Sequence, residues 1–110
     1  MSRDPELYLE DIRMACAKIT RYIKGMTFEN FKADDRTYDA VIRNLEIIGE
    51  AAKNIPEEIC LSHPEIEWRA ITALRNIVAH EYFGVRDEII WDIATNKVPR
   101  LKVQIDRIIS

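Results

Sequence analysis

Apolar residues recur along this chain at steps of three and four. Leu9, Ile12, Cys16, Ile19, Tyr22, Ile23 and Met26 form the first stripe, and Glu10, Asp11, Arg13, Lys18, Arg21 and Lys24 fill the positions between. Such spacing turns one side of a helix toward apolar partners and the other toward water. Asp4-Pro5 supplies the start, as an acceptor for the first free N–H groups followed by a residue that lacks one. The spacing predicts a helix of about six turns that weakens at Gly25. Thr27 to Ala33 reads as a connection, pinned to the bundle by Phe28 and Phe31.

A second helix is predicted from Asp34 or Asp35 to about Lys53. Its apolar stripe is Tyr38, Val41, Ile42, Leu45, Ile48, Gly49 and Ala52. A third side, Ala40, Asn44, Ile47 and Ala51, is small enough to let another helix approach closely. Pro56-Glu57-Glu58 opens a short helix ending near Leu61, and Pro64-Glu65 opens one that carries Trp68, Ile71, Leu74 and Val78 as far as Tyr82. Asp87 and Glu88 open the last run, with Ile89, Ile90, Ile93, Val98, Leu101, Ile105 and Ile108 inside. Pro99 predicts a kink or break after Ala94. With no alternating stretch, the expectation is an all-α, up-and-down bundle of four to five helices with a kinked C-terminal helix, one domain over residues 1–110.

Composition narrows the function. The chain of 110 residues is 47% hydrophobic and 32% charged, which suits a folded helical domain and excludes a disordered one. Its two cysteines, Cys16 and Cys60, fall at core-type positions of separate helices, and with two scattered histidines they make no zinc spacing. No cofactor is expected, and the chemistry is expected to be metal-free unless carboxylates recruit magnesium. No secretory segment or membrane-length apolar run is present, so a cytoplasmic protein with reduced thiols and no membrane partner is the expectation. A net charge of −3 makes the whole molecule no trap for nucleic acid. The charge is uneven, however: Pro56 to Glu67 holds four glutamates and no lysine or arginine, and the tail sets Lys97, Arg100, Lys102 and Arg107 against Asp106.

Two polar groupings stand out from the helical pattern. On the second helix, Asp39, Arg43, Glu46 and Glu50 share a stripe. Asp39 and Arg43 form a favourable i,i+4 pair, whereas Glu46 and Glu50 repel at the same spacing. That pair needs a cation from elsewhere or another reason to be there: the stripe is either a solvated face or a support that positions Arg75 or its counterpart in a partner subunit. The other grouping is Arg75-Asn76-Ile77-Val78-Ala79-His80-Glu81-Tyr82. Asn76 and His80, four apart, share a helix side, so the amide can orient the imidazole. Arg75 and His80, five apart, diverge by about 140° on a regular helix. They meet only where the helix ends or distorts, or where a second subunit completes the site. Structurally the same stretch reads as a helix end with a cation near its C-terminal dipole, stopped by Gly84. His63, ahead of Pro64, reads as a junction residue.

The segments Asp39–Lys53 and Trp68–Tyr82 together resemble the HepT-like proteins, compact members of the HEPN superfamily that form the toxin halves of toxin–antitoxin pairs. The likeness covers nearly the whole chain and rests on Arg75, Asn76, His80 and Tyr82 together with Arg43, Glu46, Gly49 and Glu50. It implies a homodimeric helical bundle whose two Arg-x4-His-x-Tyr motifs face a shared cleft. It also implies a metal-independent endoribonuclease, with Arg75 and His80 catalytic, Asn76 supporting them, RNA as substrate and DNA not. Tyr82 is the implied site of adenylylation by an MntA-type nucleotidyltransferase antitoxin. A second reading stays open beside it, a non-catalytic dimeric module that partners a minimal nucleotidyltransferase. The acidic balance and the lack of an obvious aromatic–basic RNA platform favour the module; the intact Arg75/His80 pair favours the nuclease.

Overall fold

The computed structural model describes residues 3–79 and 86–109, the side chains of 77–79 excepted. His80, Tyr82 and Gly84 lie outside the described residues. The described chain is helical, with no strand among the described residues: α1 (Pro5–Ile23), α2 (Phe28–Ala33), α3 (Asp35–Lys53), α4 (Glu57–Ser62), α5 (Trp68–Thr72), α6 (Leu74–Ala79), α7 (Asp87–Asp92), a π turn (Ile93–Lys97) and α8 (Val98–Ile109).

The starts follow the sequence chemistry. Asp4 Oδ1 accepts the Glu6 N–H at 2.9 Å, with Pro5 in the first turn. Asp34, rather than Asp35, caps α3: its carboxylate accepts the Thr37 N–H at 3.1 Å and the Thr37 hydroxyl at 3.0 Å. Those bonds hold the Asp34 carboxyl below the usual carboxylate range. Residues 28–33, expected as a connection, are helical. Thr27 and Asn30 form a reciprocal capping box there, with Asn30 in the place usually taken by a longer acid or amide. The short helix still pins the chain as expected, because Phe31 is fully buried with its ring 5.1 Å from those of Tyr38 and Trp91.

α3 is the central element. It packs against α1 on one side and against α5 and α6 on the other, and α8 closes on α1. Ile12, Ile19, Leu45, Ile48, Ile90 and Ile105 are fully buried where these helices meet. The tight side of α3 is buried as expected at Asn44 and Ala51, and the Asn44 amide turns back to the Ala40 carbonyl at 2.8 Å. Ile89, assigned to the inner face of the last run, is instead exposed. Trp91 takes the inner position against Phe31, while the Tyr38 hydroxyl donates to Asp87 at 2.9 Å and fixes the start of α7 on α3.

The expected break before Pro99 takes the form of one widened turn. Val98 N–H reaches back to the Ile93 carbonyl, a five-residue step. In a regular helix the Pro99 ring would strike the Thr95 carbonyl, and the wider turn moves that carbonyl aside. A second difference concerns Pro64. The chain makes a turn at Pro64–Glu65 and the helix starts only at Trp68, whose indole N–H donates to the His63 carbonyl at 3.0 Å. His63 is the junction residue its place before a proline implies.

Cys16 is buried, and that burial pushes its thiol up to about 12. Cys60 is only half-buried. In the native protein at pH 8, iodoacetamide is expected to label Cys60 and leave Cys16 unmodified until denaturant unfolds the chain. Equal labelling of both, read by peptide mass mapping, would contradict this placement of α1.

Candidate active site

Arg75 is placed by a close approach between two helices. A Cβ on Gly49 would lie 2.7 Å from the Arg75 backbone nitrogen and 3.1 Å from its Cβ. Only the missing side chain lets α6 lie so near α3. The adjacent residue, Glu50, then reaches the guanidinium, with Arg75 Nε 2.8 Å from Glu50 Oε1. This is the cation that the Glu46/Glu50 pair called for. Glu46 takes a different partner, Arg43, at 3.7 Å. The expected Asp39–Arg43 pair is replaced by this one, since both acids stand within reach of the same exposed arginine.

The shortest contact of the Glu50 carboxylate with the guanidinium is at Nε. A guanidinium carries five N–H donors, more than one carboxylate takes up, so Arg75 can also donate to an incoming anion. Arg75 is about one-third exposed, at 34% of its side-chain surface. The arginine is therefore held in one orientation without being spent on its partner.

The helix that carries Arg75 is not continuous. α5 ends at Thr72 with Ala73 as its cap, and Asn76 N–H bonds to the Ala73 carbonyl at 2.9 Å, a three-residue step. The single helix expected from Pro64 to Tyr82 is thus tightened by one narrow turn just before Arg75, where the backbone is pressed against Gly49. The geometry of His80 relative to Arg75 and Asn76, and of Tyr82, lies outside the described residues.

Arg75 and Asn76 open onto a cleft of about 620 Å³. Its walls are the end of α3 at Lys53, α4 at Cys60, and α5 at Trp68, Arg69 and Thr72. Arg43 and Glu46 do not reach it: they line a separate depression of about 250 Å³ beside Arg3 and Tyr8 of α1. Glu50 lines that depression as well, so of the described residues singled out from the sequence Arg75 and Asn76 share the cleft, and Glu50 is joined to them through its ion pair with Arg75. A third recess, about 200 Å³, lies between α5 and α8 with Ile71, Leu74 and Leu101 in its wall. Its lining is chiefly apolar.

The family model described as ribonuclease HepT-like matches residues 12–108. This chain belongs to the HepT-like family. It is 43% identical over 108 residues to "Putative RNase MJ0127" of Methanocaldococcus jannaschii, covering 98% of this chain and 89% of that protein. It is 42% identical over 108 residues to "Probable ribonuclease HepT" of Thermococcus cleftensis, covering 98% of each. A third relative, "Putative RNase TTE0752" of Caldanaerobacter subterraneus, is 39% identical over 108 residues, 98% of this chain and 96% of that one. No solved structure matches the chain. The HepT-like fold expected from the likeness, an all-α bundle, is the fold observed. Among the described residues no helix is long and apolar enough to cross a membrane.

Sequence reading missed part of this HepT-like chain's cleft. The sequence alone gives Lys53, Arg69 and Thr72 no role and shows no obvious aromatic–basic platform. Lys53 and Trp68 are 15 residues apart in sequence and share a wall only because α4 and the Pro64 turn fold back. A local signal did exist in Arg69, Thr72 and Asn76, at steps of three and four on one helix side.

Proposed function

We propose that this HepT-like protein is a metal-independent RNA endonuclease, the toxin of a toxin–antitoxin pair acting in the cytoplasm as a homodimer. The observation that carries the reading is Arg75, its guanidinium 2.8 Å from Glu50 and the residue itself in the wall of a cleft. Family membership and the names of the relatives support ribonuclease chemistry.

In this reading His80 takes the proton from a ribose 2′-hydroxyl, whose oxygen attacks the adjacent phosphorus. The 5′-oxygen leaves with a proton returned by the imidazole, and a 2′,3′-cyclic phosphate remains. An imidazole with an ordinary pKa near ~6.5 serves as base and then acid at neutral pH. Arg75 stabilises the added negative charge of the five-coordinate phosphorus through its fixed fork of donors. Asn76 orients His80 or bonds a phosphate oxygen, and Glu50 keeps Arg75 aimed. Two copies of the motif face one another across a two-fold axis, which lets residues that diverge on one helix converge. A chain without 2′-hydroxyls, such as DNA, is not cut.

Tyr82 is the regulatory position. An MntA-type nucleotidyltransferase antitoxin directs the phenol oxygen to the α-phosphate of ATP, and pyrophosphate leaves. The added nucleotide fills the cleft with bulk and negative charge and repels RNA. Expression of the wild-type chain is expected to arrest growth, and His80→Ala is expected to relieve the arrest while the protein stays dimeric by sedimentation. Co-expression with the nucleotidyltransferase is expected to relieve it too, with adenylyl groups on Tyr82 by mass spectrometry. A His80→Ala protein that falls apart into monomers would make His80 a packing residue and contradict the assignment.

A further inference from the structure

Beyond the reacting groups, the cleft beside Arg75 has the features of a path for a nucleic-acid strand. We infer that the cleft between the end of α3, α4 and α5 is the track for single-stranded RNA, in which Lys53 and Arg69 hold phosphates flanking the scissile one and Trp68 receives an unpaired base. The inference rests on the nuclease reading for its substrate and adds where that substrate lies.

Charge is the first argument. Several of the protein's cations are neutralised by a neighbour: Arg3 by Asp11, Arg13 by Glu10, Lys32 by Glu29, Lys102 by Asp106. Lys53 and Arg69 are exposed and make no ion pair with a described residue, and Arg75 pairs with Glu50 beside them. Glu57 is the one acid in the lining of this cleft among the described residues. A protein of net charge −3 thus carries a local cationic wall next to its proposed catalytic arginine.

Placement is the second argument. Arg69 on α5 and Arg75 on α6 flank the narrow turn at Ala73, and both line the cleft. In the inferred track each addresses a phosphate of its own. Thr72 lies between them as a hydroxyl donor, and Asn76 follows on the same side.

The third argument is Trp68. Its indole N–H is tied to the His63 carbonyl at 3.0 Å, so the ring is fixed before any ligand arrives. A fixed aromatic in a cationic cleft stacks a base without a large ordering cost, and it accepts every base because each has a π-face. A concave wall suits a splayed single strand, whereas a duplex is read by elements that protrude into its grooves.

The test uses the intact protein and a fluorescein-labelled 2′-O-methyl oligoribonucleotide, a strand that binds but cannot form the cyclic phosphate. Lys53→Ala/Arg69→Ala is expected to weaken binding at least ~10-fold. Its plot of log affinity against log salt should be shallower by about 1.4, two phosphates at ~0.7 each for a single strand. On cleavable RNA the same variant should raise KM and leave kcat unchanged. The wild-type protein should show tryptophan quenching on binding, lost in Trp68→Phe. Unchanged affinity and salt slope in the double variant, with RNA still cut, would overturn the track and leave the nuclease standing. A wild type that binds the probe but cuts no RNA would keep the track and remove the nuclease. A wild type that does neither would overturn both. A double variant that shifts from dimer to monomer would make this cleft a subunit interface and overturn the track.

Discussion

Gly49→Val is expected to destabilise the fold by ~3 kcal/mol, the upper part of the range for overpacking a closed contact. A Cβ there would meet the Arg75 backbone nitrogen at 2.7 Å, and that backbone belongs to a helix seated on α3, so no flexible side chain can yield. Alanine presents two opposing effects. It gains up to ~1 kcal/mol of helix propensity over glycine, and it still makes the 2.7 Å contact, so Gly49→Ala should lie between wild type and valine. For a domain of this size 3 kcal/mol corresponds to a fall in Tm of roughly 12 °C, readable by calorimetry. A Gly49→Val protein that melts with the wild type would mean that α3 and α6 do not meet at this residue.

Arg75→Ala is expected to lower kcat for RNA cleavage by ~10² to 10³, the usual effect of deleting a donor aimed at developing charge. Its melting temperature should hardly change. The side chain is a third exposed, and a surface ion pair contributes ~0–1 kcal/mol. Arg75→Lys should recover little activity, because a compact ammonium lacks the planar fork of donors that matches a phosphate. Glu50→Gln keeps an acceptor oxygen but not its charge, so it should lose less than Arg75→Ala. Full activity in Arg75→Lys would show that the guanidinium fork is not what the site uses.

How far the sequence carried this account depends on whether a feature is local. Caps and stripes are local, and Asp4, Asp34, the α1 and α3 faces and the disturbance before Pro99 were all legible. Helix α2 was not, because six residues are too few to show a period, and its capping box uses Asn30 where a longer side chain is usual. The break at Ala73 was also hidden. No glycine or proline marks it; the narrow turn sits where the next residues press on Gly49, a tertiary cause. At the site, the repelling Glu46 and Glu50 correctly signalled a missing cation, and the structure assigns Arg75 to one and Arg43 to the other. Which glutamate took which arginine depended on the crossing of α3 and α6. The cleft itself was beyond reach of spacing, since Lys53, Cys60 and Trp68 converge only in three dimensions.

The proposed reaction is RNA cleavage by Arg75 and His80 without a metal. It is tested most directly by incubating purified protein with total RNA in EDTA, wild type beside Arg75→Ala and His80→Ala, after mass spectrometry has shown Tyr82 unmodified. Cleavage by the wild type alone, leaving 2′,3′-cyclic phosphate ends, is the expected result. Equal cleavage by all three proteins, or none by the unmodified wild type, would contradict it.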